Sequence, residues 1–214
     1  MKNLVGIIIS TVYIVVILVL SKFVAKKGEE ASRKFIHILL SNIWIIYYFL
    51  IDSLLVACIL PAVFVVINTL SYKFKILKTM ERENNDGFGT IYYAISILIV
   101  TIFTYLQKNP MLGMPGMLIM GYGDGFAAVV GKKVKSKEYE IGNAVKTIAG
   151  SITMFVISFM VSSFVLNLLA VEYFFLKGLV IALVATALEA VSIRGLDNIT
   201  VPIVVTVLTY LCVF

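Results

Sequence analysis

Residues 148–169 read IAGSITMFVISFMVSSFVLNLL, with no charged side chain among them. A helix needs about 20 mostly apolar residues to cross a bilayer's hydrocarbon core, and this stretch supplies them. The pattern repeats on both sides of it. C-terminally it recurs at 174–193 and 200–214, and N-terminally at 112–131, 91–106, 54–70, 35–51 and 4–23. The spacing predicts about eight membrane spans, or seven if the short last one is partly interfacial. The expected fold class is therefore all-α, a polytopic transmembrane helical bundle, with residues 1–214 forming one membrane domain. Composition agrees: the chain is 61% hydrophobic and only 14% charged, whereas a soluble domain carries roughly 25% charged residues.

Basic residues set the expected orientation. The first connecting loop holds Lys22, Lys26, Lys27, Arg33 and Lys34, and the third holds Lys73, Lys75, Lys78 and Arg82. The fifth holds Lys132, Lys133, Lys135, Lys137 and Lys146, and the seventh holds Arg194. Lys2, Lys108 and Lys177 are all that remain for the other side. By the positive-inside rule the odd loops are expected in the cytoplasm and both termini outside. The net charge of +6 thus reads as topology and contact with anionic lipid, not as nucleic-acid binding. Leu4–Leu20 has no small-x-small cleavage site before Lys26 and Lys27, so it is expected to be an uncleaved span. Asp52 and Ser53 alone separate the second and third spans, which predicts a tight hairpin. Cys58 and Cys212 lie within apolar runs and read as inert buried thiols.

The residues that do not belong in lipid gather on the cytoplasmic side. They are Arg33 and His37, then Asn84, Asn85, Asp86 and Gly87 of the third loop, Asp124, Lys146 and Thr147, Glu189, and Asp197 and Asn198. Several have an ordinary alternative. His37 reads equally as a hydrogen-bonded packing residue, Arg33 and Lys34 as topology signals, and Thr147, Asp197 and Asn198 as helix N-caps.

Asp124 is harder to explain structurally. It sits in Gly121-Tyr122-Gly123-Asp124-Gly125, where each glycine weakens a helix by about 1 kcal/mol relative to Ala. A carboxylate within a span costs about 2.5–3.5 kcal/mol. That combination predicts a broken helix lining a polar cavity, and Glu189 carries a similar insertion cost nearer the interface. Beyond Asp124 lie Lys132 and then Lys146-Thr147 at the start of the sixth span. Its free N–H groups, flanked by lysines, are expected to suit a polyphosphate. No P-loop is present.

These segments resemble, in order, the CTP-dependent lipid kinases (the polyprenol kinase family), which include dolichol kinase, phytol kinase and yeast-type diacylglycerol kinase. Arg33-Lys34-Phe35-Ile36-His37 is similar to the family's Arg-Lys-x-x-His, and Gly89-Thr90-Ile91-Tyr92 to its Gly-x-x-Tyr. Gly123-Asp124 through Gly131-Lys132 is similar to Gly-Asp-x-x-Ala-x-x-x-Gly-Arg/Lys, and Lys146-Thr147-Ile148-Ala149-Gly150-Ser151 to Lys-Ser/Thr-x-x-Gly-Ser. Glu189 through Ser192, followed by Asp197-Asn198 and Pro202, resembles the closing Glu-x-x-Ser…Asp-Asn-x-x-x-Pro. Val145 stands where many members have a second basic residue. The size is nearer to compact phytol-kinase-like members than to larger dolichol kinases.

The resemblance implies transfer of the γ-phosphoryl group of CTP to the hydroxyl of a membrane lipid alcohol. Asp124 and Asp197 would hold Mg2+. Asp124, Lys146, Glu189 and Asp197 would carry the chemistry. Arg33, His37, Lys132, Lys146, Thr147 and Asn198 would bind the nucleotide or shape its cavity. The lipid and the carboxylate acting as base stay open. Two alternatives also stay open: a cytidylyltransferase like CDP-diacylglycerol synthase, and a cation transporter using Asp124, Glu189 and Asp197 as relay sites. Against the first, the long C-terminal signature of that synthase is missing.

Overall fold

A computed structural model describes residues 1–26, 28–74, 88–142 and 144–214, with the side chain of Glu29 excepted. The third-loop residues Asn84, Asn85, Asp86 and Gly87 lie outside them, as do Lys75, Lys78 and Arg82. Among the described residues, ten α-helices run in the order α1 (Lys2–Ala25), α2 (Glu29–Ser41), α3 (Ile43–Leu50), α4 (Leu54–Phe74), α5 (Gly89–Leu106), α6 (Met114–Leu118), α7 (Gly125–Lys133), α8 (Ile148–Leu168), α9 (Phe174–Val191) and α10 (Asp197–Val213). Five of them, α1, α4, α5, α8 and α9, are long and apolar enough to cross a membrane. Their outward faces are apolar: less than a third of the apolar stretch of α1 and of α4 is buried within the protein. This is a membrane protein.

The other three apolar runs are not uniform long helices. The run 35–51 is divided at Asn42 into α2 and α3. The run 112–131 is a composite: a 3-10 turn (Pro110–Gly113), α6, a π-turn (Ile119–Asp124) and α7. The last, α10, has 17 residues, about 25 Å at 1.5 Å per residue. Outside the helices is one further element that the all-α expectation lacks. Strands β1 (Glu138–Ile141) and β2 (Ala144–Thr147) form an antiparallel hairpin, with Gly142 at φ +57° in its turn. Strands so short leave little trace in a lysine-rich loop.

Tight contacts hold the composite segment in the centre. Trp44 of α3 is fully buried, and its indole N–H donates to the carbonyl of Pro110 at 2.7 Å. Tyr105 at the end of α5 donates to the carbonyl of Ile51 at 3.0 Å. A Cβ on Gly113 would run into the Trp44 ring and come within 2.7 Å of Val100 Cγ1, so only glycine lets the segment pass this close. At the end away from the lysine-rich loops, Asn3 Oδ1 accepts from the Asp52 N–H at 2.7 Å, and Lys2 pairs with Asp52 at 2.7 Å. These contacts tie the start of α1 to the α3–α4 turn.

Gly113→Ala is expected to force the Trp44 ring aside, at a cost of about 1–3 kcal/mol for overpacking. A lower melting temperature in detergent, with weaker protection of the Trp44 fluorescence from quenchers, is the measurement. Unchanged melting would show that the ring has room to shift.

Candidate active site

At the other end of the bundle α2, the π-turn, the β-hairpin and the starts of α8 and α10 surround a polar cavity of about 540 Å3. The widened π-turn ends on Asp124, and π-turns inside helices recur at functional sites. Here the turn re-aims Asp124 into the cavity, so the helix that sequence reading expects to break widens instead. Asp124 is 6% exposed and Glu189, on α9, is 5% exposed. With Asp197, at the start of α10, they place one carboxylate oxygen each within 4.8 Å of one another.

Two of these carboxylates are neutralised by lysines. Lys34 Nζ donates to Asp124 Oδ2 at 2.5 Å. Lys146 Nζ donates to Glu189 Oε1 and, at 3.0 Å, to the Glu189 carbonyl. Burial works against the charge of Lys146, but the Glu189 carboxylate outweighs it and holds the ammonium above the usual lysine range. Asp197 has no ion pair among the described residues. Its Oδ1 accepts from the backbone and side-chain N–H groups of Asn198, at 3.0 and 3.2 Å.

Local backbone explains these positions. Arg194 and Gly195 both have positive φ, 53° and 80°, and turn the chain sharply between α9 and α10. A Cβ on Gly195 would come within 2.8 Å of Gly89 Cα, so the Gly-x-x-Tyr segment is clamped against this turn. Asn198 locks the turn by donating to the Gly195 carbonyl at 3.1 Å. Neither Asp197 nor Asn198 caps α10: the N-cap residue is Leu196, and it makes no side-chain cap bond.

The structure brings together Arg33, His37, Asp124, Lys132, Lys146, Thr147, Glu189, Asp197 and Asn198, all of which line the cavity. Arg33 is committed to Glu30, with bonds of 2.6 and 2.7 Å from Nη2. One expectation fails. The first N–H groups of α8 are not free for a polyphosphate: Ile148 N–H goes to the Lys137 carbonyl at 3.0 Å, Ala149 N–H to Ser136 Oγ at 3.1 Å and Gly150 N–H to Thr147 Oγ1 at 3.1 Å. Thr147 is thus the N-cap of α8. Sequence reading leaves Lys34 among the topology signals, yet it is the direct partner of Asp124. Its one available signal is its place within the Arg-Lys-x-x-His segment. Nothing in the sequence marks Glu30.

Among the described residues, the cavity is lined by five acidic ones (Glu30, Asp124, Glu138, Glu189, Asp197) and five basic ones (Arg33, Lys34, Lys132, Lys146, Arg194). It is polar but not strongly cationic. Its three clustered carboxylates are hard oxygen donors of the kind that bind Mg2+. The 4.8 Å limit on their separation is only slightly wider than opposite ligands at about 2.0–2.1 Å from such an ion.

The phytol kinase of Synechocystis sp. is 31% identical to this chain over 177 residues, covering 81% of this chain and 76% of that protein. The chain belongs to the phytol kinase family. Phytol kinase 1, chloroplastic, of Arabidopsis thaliana is 28% identical over 211 residues. Probable phytol kinase 1, chloroplastic, of Oryza sativa subsp. japonica is 27% identical over 206 residues. Each alignment covers 86% of this chain, which spans about two thirds of those plant proteins, 66% and 64%. No family model and no solved structure matches the chain.

Lys146→Met leaves Glu189 buried without its cation. Removing one partner of a buried pair costs about 3–5 kcal/mol, and the lower end is expected because Lys146 keeps 19% side-chain exposure. Adding Glu189→Gln should restore much of the loss, and the thermal stabilities of the parent, both single variants and the double variant measure the coupling. Additive losses would mean the pair is not coupled.

Proposed function

We propose that the protein is a CTP-dependent lipid alcohol kinase working at the cytoplasmic face, with both termini on the opposite side. The observation that carries the reading is the meeting of three carboxylates and two lysines in a cavity of nucleotide size. Family membership supplies the reaction class, since relatives are named phytol kinases. CTP as donor rests on the family resemblance, and the orientation on the distribution of Lys and Arg.

Phosphoryl transfer is mostly positioning and charge neutralisation. Asp124, Glu189 and Asp197 would hold the Mg2+, which supplies charge neutralisation at the phosphate oxygens when bound. Lys34 and Lys146 line the same cavity as their carboxylates and would turn to phosphate oxygens, and the exposed Lys132 lines it too. One carboxylate takes the proton of the alcohol. The alcohol oxygen then bonds to the γ-phosphorus as the bond to the β-phosphate oxygen breaks, and CDP leaves with the electron pair. A cytidylyltransferase would instead join a lipid phosphate to the α-phosphorus, giving a CDP-lipid and pyrophosphate.

Transfer from γ-labelled CTP to phytol, geranylgeraniol, a polyprenol and diacylglycerol, in competition with unlabelled CTP, ATP, GTP and UTP, is the test. The expected product is a lipid monophosphate whose formation CTP suppresses best. Equal competition by ATP would remove the CTP assignment, and release of pyrophosphate would replace the kinase by the transferase.

Asp124→Asn is expected to abolish transfer. Because Asp124 is the partner of Lys34, it should also lower the stability of the nucleotide-free protein. Lys34→Met added to it should restore stability and leave transfer absent. Recovery of turnover in that double variant would show that Asp124 serves only to neutralise the lysine.

A further inference from the structure

A second space opens beside the polar cavity. It is a narrow apolar crevice between α1, α2–α3, α4 and α5. Arg33 and His37 line both spaces, so the two meet there. From His37 the crevice runs along α2 and α3 to Tyr47 and along α4 from Asn68 to Leu60. Ten residues of helix span about 15 Å, roughly half the hydrocarbon core of a bilayer. Its polar lining is confined to the junction end, at Arg33, His37, Asn68 and Thr90, apart from the two tyrosines, Tyr47 and Tyr93.

Two polar atoms at this junction are buried and have no hydrogen-bond partner among the described residues: His37 Nδ1 and the Tyr93 hydroxyl. Their residues are 6% and 5% exposed, and their rings lie 4.6 Å apart. A buried polar atom without a partner costs about 1–3 kcal/mol. Both rings are within electrostatic reach of Asp124. A hydroxyl is both donor and acceptor, and one entering here could satisfy both atoms with its tail lying in the crevice.

We propose that the crevice between α2, α4 and α5 receives the hydrocarbon tail of the alcohol and that His37 and Tyr93 position its hydroxyl beside the carboxylate cluster. This rests on the lipid-kinase reading and adds where the acceptor lies. It also separates His37 from the phosphate-binding role that the sequence suggests. The crevice holds only about 40 Å3 of open space, so α4 must move outward for a tail to enter. Helix α4 packs mainly along α5, little of its apolar stretch is buried, and it carries Pro61 on the crevice wall, where it can bend. Proline removes a backbone hydrogen bond inside a helix and is a usual site of bending.

The experiment uses the full chain in nanodiscs with a photoreactive prenyl alcohol, without nucleotide. Peptide mapping is expected to find the label on crevice residues such as Phe64 and Ile97. Leu60→Trp, at the crevice wall, and Ala94→Trp, deeper in, should each reduce labelling at least fivefold while CTP binding stays within twofold. Geranylgeraniol should compete better than its methyl ether in the parent, and Tyr93→Phe should abolish that difference. Labelling confined to the outer faces of α8 and α9, or unaffected by Leu60→Trp, would overturn the tail assignment. An undiminished preference for the alcohol in Tyr93→Phe would overturn the hydroxyl assignment. Crevice labelling in a protein that transfers phosphate from no nucleotide would support the tail site and sink the kinase reading, so the two failures are separable.

Discussion

Burying two carboxylates at one end of an apolar bundle is the constraint on which the site depends. An acidic side chain inside a span costs a few kcal/mol even by lenient measures. Asp124 and Glu189 avoid standing as bare charges because Lys34 and Lys146 reach them from separate elements, α2 and β2. Each lysine therefore pins a local element to a long-range partner. The Lys34–Asp124 pair joins residues 90 positions apart and holds α2 against the π-turn. The Lys146–Glu189 pair fastens the β-hairpin to α9. Such pairs add little net stability, because desolvation offsets most of the attraction. Their consequence is arrangement: Asp124 and Glu189 are held at one end of the bundle, each beside its own lysine.

That compensation bears on how a highly charged nucleotide enters. Among the described residues, five acidic and five basic side chains line the cavity, so its lining is close to balanced in charge. The lysines have to leave carboxylates to meet phosphate oxygens, and the carboxylates then need another cation. In the proposed reaction a divalent ion arriving with the nucleotide would meet both needs in one exchange. Lysine on a flexible four-carbon stem suits such a change better than the planar fork of arginine. The guanidinium of Arg33, by contrast, is held in two directions by Glu30 and is better placed to shape the wall between the cavity and the crevice.

What the sequence reveals divides along physical lines. Long apolar runs are a one-dimensional signal, so α1, α4, α5, α8 and α9 are legible in it. Asp124 and Glu189 are legible because each is costly where it lies, and Asp197 through the Asp-Asn element of the family resemblance. The division at Asn42 is not, because the apolar pattern runs straight through it. The β-hairpin is hidden by its brevity and by the lysines around it. The capping of α8 escapes detection for a different reason: the Lys137 carbonyl and Ser136 hydroxyl that satisfy its first N–H groups come from a loop whose path cannot be read from composition. Lys34 looks like a topology signal until Asp124 is seen opposite it. The π-turn is suggested only by its glycines, which fit a break as well as a widened turn.

The two spaces sharing Arg33 and His37 also resolve a problem that any enzyme joining a membrane alcohol to a soluble nucleotide must face. The alcohol gains nothing by leaving the bilayer, since each buried CH2 is worth about 0.8 kcal/mol. The nucleotide cannot enter hydrocarbon with its charge. The reacting atoms can meet only where an apolar path and a polar cavity touch, and in this protein the contact lies on the first turns of α2. The Arg-Lys-x-x-His segment puts three side chains there at helical spacing: Arg33 on the shared wall, Lys34 one residue on against Asp124, and His37 one turn beyond Arg33 at the mouth of the crevice. A single short helix thereby faces both phases. Its register decides whether the alcohol oxygen and the phosphate can come within bonding distance, and this gives the tight packing of Ser41 at the end of α2 against Gly121 a bearing on chemistry as well as stability.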